Sequence, residues 1–249
     1  MTDRLTWLGH ATVVVELGGA VLITDPVLRG RVAHLRRTAS APSAPGRIDA
    51  VLVSHLHHDH LDLRSVARID KTVPIVVPRG GARALRWVRR SDVREVSVGD
   101  TLDVADVRIS AVPAVHDGKR TPLSRPAEAL GYVIESRRRV YFAGDTAIFD
   151  AMAQLGDVDA ALVPIWGWGP RLGPGHMDPE EAAAAVALIR PRLAVPIHYG
   201  TFAPIGAAAR HRRRVGDPAR NFAARVSQAA PDVAVRVLAP GESLALDDA

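Results

Sequence analysis

"SHLHHDHLD", residues Ser54 to Asp62, sets four histidines and one aspartate into the six positions from His55 to His60, in a chain with ten histidines in all. Directly before it runs "DAVLV" (Asp49 to Val53), an apolar segment that reads as a buried strand. Residues two apart in an extended chain share a face, so His55 and His57 point the same way and His58 points elsewhere. A turn after His57 swings Asp59 and His60 towards a second point close by. The spacing H-x-H-x-D-H therefore suits a loop that feeds two metal ions. Chance places one or two histidines in a surface loop; it does not account for this density beside a buried strand.

One loop cannot complete the coordination of two ions, so further ligands are expected at other strand ends. His116 follows "ISAVPAV", Asp145 follows "VYFAG" and His198 follows "LAVPI". Each is a polar residue at the C-terminal end of an apolar run, where layered α/β proteins place their sites. A lone histidine after a strand is usually a turn residue, but three such positions after H-x-H-x-D-H outweigh that reading. The chain has no cysteine, which removes disulfides and thiolate ligands together and leaves imidazole and carboxylate to hold any metal.

Working outward, strand signals dominate the first half. "ATVVVEL" and "AVLITDP" are β-branched runs joined by "GGA", which reads as a hairpin, and "TASAPSAPG" (residues 38–46) is a loop of small residues and prolines. "LDLRSVARI" and "GGARALRWVRR" have helical spacing with the strand "VPIVVP" between them. Strands follow at "VRISAVPA", "LGYVIES", "RVYFAGDT" and "AALVPI". A helix opens at "DPEEAAAAVALIR", with Asp178 as N-cap and Pro179 in the first helical position, and "LAVPIHYG" and "VAVRVLAP" close the chain. The pattern predicts two sheets with helices outside, in one domain over residues 1–249. Net charge is +5, carried almost wholly by arginine. A solvated arginine-rich surface is a simpler account of it than nucleic acid, anionic lipid or phosphorylated ligands, although "RHRRR" (Arg210 to Arg214) is dense. Arg83, Arg86, Arg89 and Arg90 read as an exposed helix face. No apolar run reaches the roughly 20 residues of a transmembrane helix and no signal peptide opens the chain, so the expected location is the cytoplasm.

The motifs "LGHATV", "TDPVL", "IDAVLVSH", "HLHHDH", "YFAGDT", "GHMDPEEA" and "IHYGTF" resemble the metallo-β-lactamase-fold hydrolases. The branch they are most similar to holds N-acylphosphatidylethanolamine-hydrolysing phospholipase D and the ascorbate-6-phosphate lactonases, with "TDPVLRGR" and "HMDPEEA" nearer the phospholipase. The resemblance runs from "WLGHATVVVE" to "PGESLAL". It implies an α/β protein with the four-layer αββα sandwich, the metals lying at one edge between the sheets. It also implies that His55, His57 and His116 hold one ion, that Asp59, His60 and His198 hold a second, and that Asp145 bridges them. By the same resemblance Asp59 orients an attacking hydroxide. Two divalent ions bring four positive charges, of which Asp59 and Asp145 neutralise two; the surplus favours hydroxide over water. Zn²⁺ suits this donor set, with Mn²⁺ and Fe²⁺ as alternatives.

Other residues surround this set. Asp25, in "LITDP", is either an anchor for a ligand histidine or a turn aspartate before Pro26. His10, in "LGHAT", lines the pocket or is a buried structural histidine. His176, after the glycine-rich "LGPG", is assigned by the resemblance to substrate binding or proton transfer, against the alternative of an exposed loop residue. Trp166 and Trp168 pack or wall the pocket; Arg29, Arg31, Arg36 and Arg37 meet an anionic headgroup or lie on a solvated loop. The expected function is metal-dependent hydrolysis of a phosphodiester, phospholipase-D-like or smaller. The alternatives are lactone or carboxylic ester hydrolysis and, outside enzymes, a metal-dependent binding or sensor protein. The partner is a small, anionic substrate rather than nucleic acid. The phospholipase's N-terminal extension has no counterpart before residue 2, so membrane docking is not carried over.

Overall fold

The computed structural model describes residues 2–121, 124, 125, 127–168, 171–206 and 217–246. Its strands begin with β1 (Arg4–Gly9), β2 (Thr12–Leu17) and β3 (Ala20–Thr24), then the short β4 (Arg31–Val32) and β5 (Leu35–Arg37), then β6 (Ala50–Leu52). A single turn α1 (Leu63–Val66), β7 (Ile75–Pro78), a second single turn α2 (Ala82–Leu85) and β8 (Val93–Val96) complete the first half. The second half opens with β9 (Thr101–Val104), β10 (Val107–Pro113), β11 (Leu130–Glu135) and β12 (Arg139–Phe142). A 3-10 turn (Asp150–Gln154), β13 (Ala160–Pro164), α3 (Pro179–Ile189), β14 (Leu193–Ile197) and β15 (Phe202–Pro204) follow. Last come α4 (Asp217–Ala229), β16 (Ala234–Val235) and β17 (Glu242–Ala245).

Two seven-stranded sheets result, ordered β17-β1-β2-β3-β6-β7-β8 and β16-β14-β13-β12-β11-β10-β9, with a small sheet β15-β5-β4 beside them. Side-chain alternation shows why the first is buried on both faces. Val13, Val15, Leu22, Leu52 and Val76 enter the large core, whereas Val14, Ile23, Val51, Ile75 and Val77 form a second core with Leu61, Val66 and Leu85. A one-residue slip would exchange these sets, and each displaced aliphatic side chain would forfeit about 1.5–3 kcal/mol of burial, so the register is firmly set. On the second sheet α3 lies against β13, the 3-10 turn and α4. Its alanines Ala182, Ala183 and Ala185 permit the close approach, and α4 turns Ala219, Phe222 and Val226 inward. The architecture is the α/β four-layer αββα sandwich.

The strand directions position the site. β3, β6 and β7 run parallel, and β1 shares their direction because β2 opposes both it and β3. In the other sheet β12, β13 and β14 are parallel, and β10 shares their direction across β11. The C-terminal ends of these strands meet along one edge. Leu130 N donates to Ser54 O at 2.9 Å, Tyr132 Oη to Val53 O at 2.8 Å and His198 N to His10 O at 2.9 Å, tying the sheets together there.

Three segments differ from the sequence pattern. The helical spacing at 61–69 and 80–90 yields only the single turns α1 and α2. α2 is capped at Gly81 with no side-chain hydrogen bond, Arg83 and Arg86 place like charges three residues apart across its end, and Arg89 takes a left-handed φ of 49°. Arg90 is not on an exposed face: its guanidinium donates to the carbonyls of Ile69, Asp70 and Val73, which close the end of α1. "VAVRVLAP" pairs as a strand only at Ala234–Val235, where it runs beside β14. The "RHRRR" stretch lies outside the described residues.

Candidate metal centre

Three imidazoles converge where β6 and β10 end. His55 Nε2 lies 2.9 Å from His57 Nδ1, and His116 Nε2 lies 3.1 Å from the same atom. His55 Nδ1 is 3.0 Å from Ser54 Oγ, whose own proton goes to Asp25 Oδ2 at 2.6 Å, so the hydroxyl accepts from the ring. His116 Nδ1 donates to Gly175 O at 2.8 Å. Both rings therefore keep Nε2 as a bare lone pair facing inward. Gly175 is required for this anchor: its φ is +77°, and a Cβ there would sit 2.7 Å from His116 Nδ1.

A second group forms beside it from His60, His198, Asp59 and Asp145. His60 Nε2 and His198 Nε2 are 3.1 Å apart. Their outer nitrogens are also anchored, His60 Nδ1 on Asp25 Oδ2 at 2.7 Å and His198 Nδ1 on Trp166 O at 2.8 Å. Asp145 lies 3.2 Å from His60 Nε2 through Oδ2 and 3.1 Å from His198 Nε2 through Oδ1. His176 reaches the same carboxylate, Nε2 to Oδ2 at 3.3 Å, while its Nδ1 donates to Gly173 O at 3.1 Å. With 22% of its side chain exposed it faces the mouth of the site, whereas His60, His198 and Asp145 are buried. His10, buried, contacts Asp59 Oδ2 through Nε2 at 3.0 Å.

Metal cations fit these residues on two counts. His60 and His198, both anchored through Nδ1, turn their Nε2 atoms to within 3.1 Å of each other, where two lone pairs repel unless a proton or a metal cation lies between them. Asp145 Oδ1 is also buried without a hydrogen bond among the described residues, a cost that a cation removes. The electrostatics agree. Burial, with His60 adding to it, holds His55 well below its ordinary pKa and brings His57 to about 4. Burial would raise Asp145, but the neighbouring His198 and His60 outweigh it and hold the carboxylate low. Burial likewise would lower His60, yet Asp145 and Asp25 on either side raise it well above its usual range: without a cation these carboxylates draw a second proton onto the ring, in the place where a metal ion's charge would otherwise lie. Cation-binding groups can be drawn as His55, His57 and His116; as His10, Asp59, His60 and His198; as Asp25, His55 and His60; and as His116, Asp145 and His176.

Several contributors carried no sequence signal strong enough to single them out. Ser54 serves Asp25 and His55 together, with its backbone N donating to Asp25 Oδ1 at 2.7 Å. Arg120 grips the histidine loop from behind, Nη1 donating to Leu56 O and Leu61 O at 3.0 Å and Nη2 lying 3.2 Å from His58 Nδ1. The spacing His116-x-x-x-Arg120 was its only trace. Two arginines considered for anion contact are structural: Arg29 makes a bidentate pair with Asp62 at 2.8 and 2.9 Å, and Arg37 is buried, donating to Leu8 O and Val27 O above the Phe202 ring. Burial alone lowers the Arg37 guanidinium to about 10. Asp62, the last residue of the quoted stretch, caps α1 by accepting from Ser65 N. Trp168 packs on Val27, Val32, Leu35 and Phe202, with its ring edge against His34.

Strand ends from two sheets that gather imidazole and carboxylate donors at one edge define a metallo-hydrolase site on an αββα scaffold. The description "Beta-lactamase superfamily domain" matches residues 21–199. A UPF0173 metal-dependent hydrolase of Methanopyrus kandleri is 35% identical, over 96% of this chain and 98% of its own. An N-acyl-phosphatidylethanolamine-hydrolyzing phospholipase D of Caenorhabditis elegans is 33% identical over 81% of this chain, which spans 64% of that protein. Among solved structures, the metallo hydrolase Igni18 of Ignicoccus hospitalis superposes with a TM-score of 0.74 at 25% identity, over 98% of both chains. The chain belongs to the metallo-β-lactamase superfamily, among its UPF0173 metal-dependent hydrolases. No helix among the described residues is long and apolar enough to cross a membrane.

Proposed function

We propose that this metal-dependent hydrolase cleaves a small anionic phosphodiester with two divalent cations, of which Zn²⁺ fits the donors best. The observation that supports the pair of ions is the division of the donors into two groups with Asp145 beside both. His55, His57 and His116 would hold one ion and Asp59, His60 and His198 the other, with Asp145 spanning them. Such ions supply Lewis acidity and bring the pKa of water from 15.7 towards about 7. The chain's own residues do the rest. Ser54, Asp25, Gly175 O and Trp166 O hold the imidazoles in one tautomer. Asp59 orients the attacking water, and His176, at the mouth, gives a proton to the departing alkoxide. The shared core of the two sheets supports reading residues 1–249 as one domain.

The likeness to the phospholipase favours a phosphodiester over a carboxylic ester or lactone. The test is a panel of chromogenic phosphodiesters, esters and lactones against protein reconstituted with Zn²⁺, Mn²⁺ or Fe²⁺. Turnover of bis(p-nitrophenyl) phosphate above the others is expected. Turnover confined to lactones or esters would move the assignment to acyl chemistry, and metal binding without turnover of any class would point to a sensor.

A further inference from the structure

We infer that His10 is a positioning residue for Asp59, its Nε2–H fixing one carboxylate oxygen, and not a further holder of a cation. The inference rests on the reading of Asp59 as a ligand. By proximity alone His10 qualifies as a metal ligand, because it forms with Asp59, His60 and His198 a set whose donor atoms all lie within 4.8 Å of one another. The placement of protons separates it from the others. His55, His60, His116 and His198 each give Nδ1–H to Ser54 Oγ, Asp25 Oδ2, Gly175 O and Trp166 O respectively, so that in the neutral ring, the form that binds a cation, Nε2 is bare. His10 has no such anchor: among the described residues its Nδ1 has no hydrogen-bond partner, and its Nε2 faces the Asp59 oxygen at 3.0 Å. A carboxylate only accepts, so the proton of this imidazole sits on Nε2, and a protonated nitrogen has no lone pair for a cation.

The ring is also held where it is. His10 N donates to Thr201 Oγ1 at 2.7 Å, and His10 O accepts from Trp7 Nε1 at 2.9 Å and from His198 N at 2.9 Å. The backbone takes a left-handed φ of 57°, and the ring lies 3.9 Å from the His198 ring with its neighbour Phe202 at 5.2 Å. Asp59 has no other side-chain hydrogen bond among the described residues, so this fixed donor alone decides which oxygen is occupied and which, Oδ1, is left for the reacting centre.

The test compares three variants of the metal-loaded protein. His10→Gln returns an amide N–H close to the position of Nε2, whereas His10→Asn places one only as far as Nδ1, and His10→Ala supplies none. The left-handed backbone tolerates Asn better than Gln, so a role in packing or backbone alone would favour the Asn variant. The expected result is the reverse. His10→Gln keeps both ions, near wild-type turnover and, with Co²⁺ substituted, an unchanged visible spectrum. His10→Asn and His10→Ala lose about 10–100-fold in turnover or in affinity for the second ion, the usual cost of removing a group that orients a ligand. Equal loss in the Gln and Asn variants would overturn the inference, as would a Gln variant that sheds an ion or shifts the Co²⁺ spectrum. Asp59→Ala, measured alongside, tests the foundation: if both ions stay bound, the assignment of Asp59 fails whatever His10 does.

Discussion

At the scale of single residues, Asp145 lies among three imidazoles. It approaches His60, His198 and His176 within 3.3 Å, yet Oδ1 has no hydrogen bond among the described residues. Asp145→Asn keeps the shape and removes the charge. Turnover is expected to fall about a hundredfold or more while the circular dichroism spectrum stays unchanged; near-normal turnover would show that the carboxylate is not shared between ions. His176 tests differently. His176→Ala is expected to leave metal content intact and to cost about 10²–10⁴-fold on an alkyl leaving group. Loss on a p-nitrophenolate, which departs without a proton, is expected to be smaller, and an equal loss on both would mean binding rather than proton donation. The histidine loop was legible because ionisable residues rarely follow a buried strand so densely. Ser54 and Arg120 were not, because a serine or an arginine acquires its role only from what lies across from it in space. Arg29 and Arg37 misled for the same reason: their partners, Asp62 and the carbonyls of Leu8 and Val27, are supplied by tertiary structure.

At the scale of elements, the loop and cap before α3 separate catalysis from stability. Gly175→Ala pushes a Cβ to 2.7 Å from His116 Nδ1 and strains a backbone at φ +77°. The ion read as held by His55, His57 and His116 is expected to be lost first on dialysis, measurable by elemental analysis as a fall from two ions towards one. Three residues on, Asp178 forms a capping box with Glu181 and accepts from the Glu180 and Glu181 amides. Asp178→Ala is expected to cost about 1 kcal/mol, hence roughly 2–4 °C in Tm for a chain of this size, with metal content unchanged. Such local chemistry is what the sequence reveals well: the start of α3 and the β2–β3 hairpin appear where cap and turn residues place them. Helix length is less legible. Apolar spacing at 61–69 and 80–90 reports only that one side is buried, and the single turns α1 and α2 already bury Val66 and Leu85. The short strands β4, β5 and β15 have too few residues for any periodicity to show.

At the scale of the whole molecule, the cores exist independently of the site. The apolar clusters lie between and outside the sheets, and the donors gather only along one edge. Removing metal is therefore expected to lower Tm, since ions that bind only the folded chain stabilise it, without abolishing secondary structure. Thermal melts with and without a chelator would show this; collapse of the circular dichroism spectrum on chelation would mean that the ions hold the fold itself. Two sheets with helices outside were foreseeable from strand runs followed by helices in each half, and the four-layer sandwich from the resemblance to the metallo-β-lactamase-fold hydrolases. The order of strands was not, because pairings such as β1 with β17 join residues at opposite ends of the chain.

That the donors sit on strand ends from both sheets has a consequence for biosynthesis. A ribosome delivers His55 to His60 first, and their partners His116, Asp145 and His198 emerge only as the second sheet is made. The nascent chain thus displays half a chelating site, competent to pick up an ion loosely and incompetent to keep it. On the reading of His60 and His198 as ligands, secure loading is expected to wait until β14 has docked beside β13 and carried His198 to His60, late in the protein's maturation.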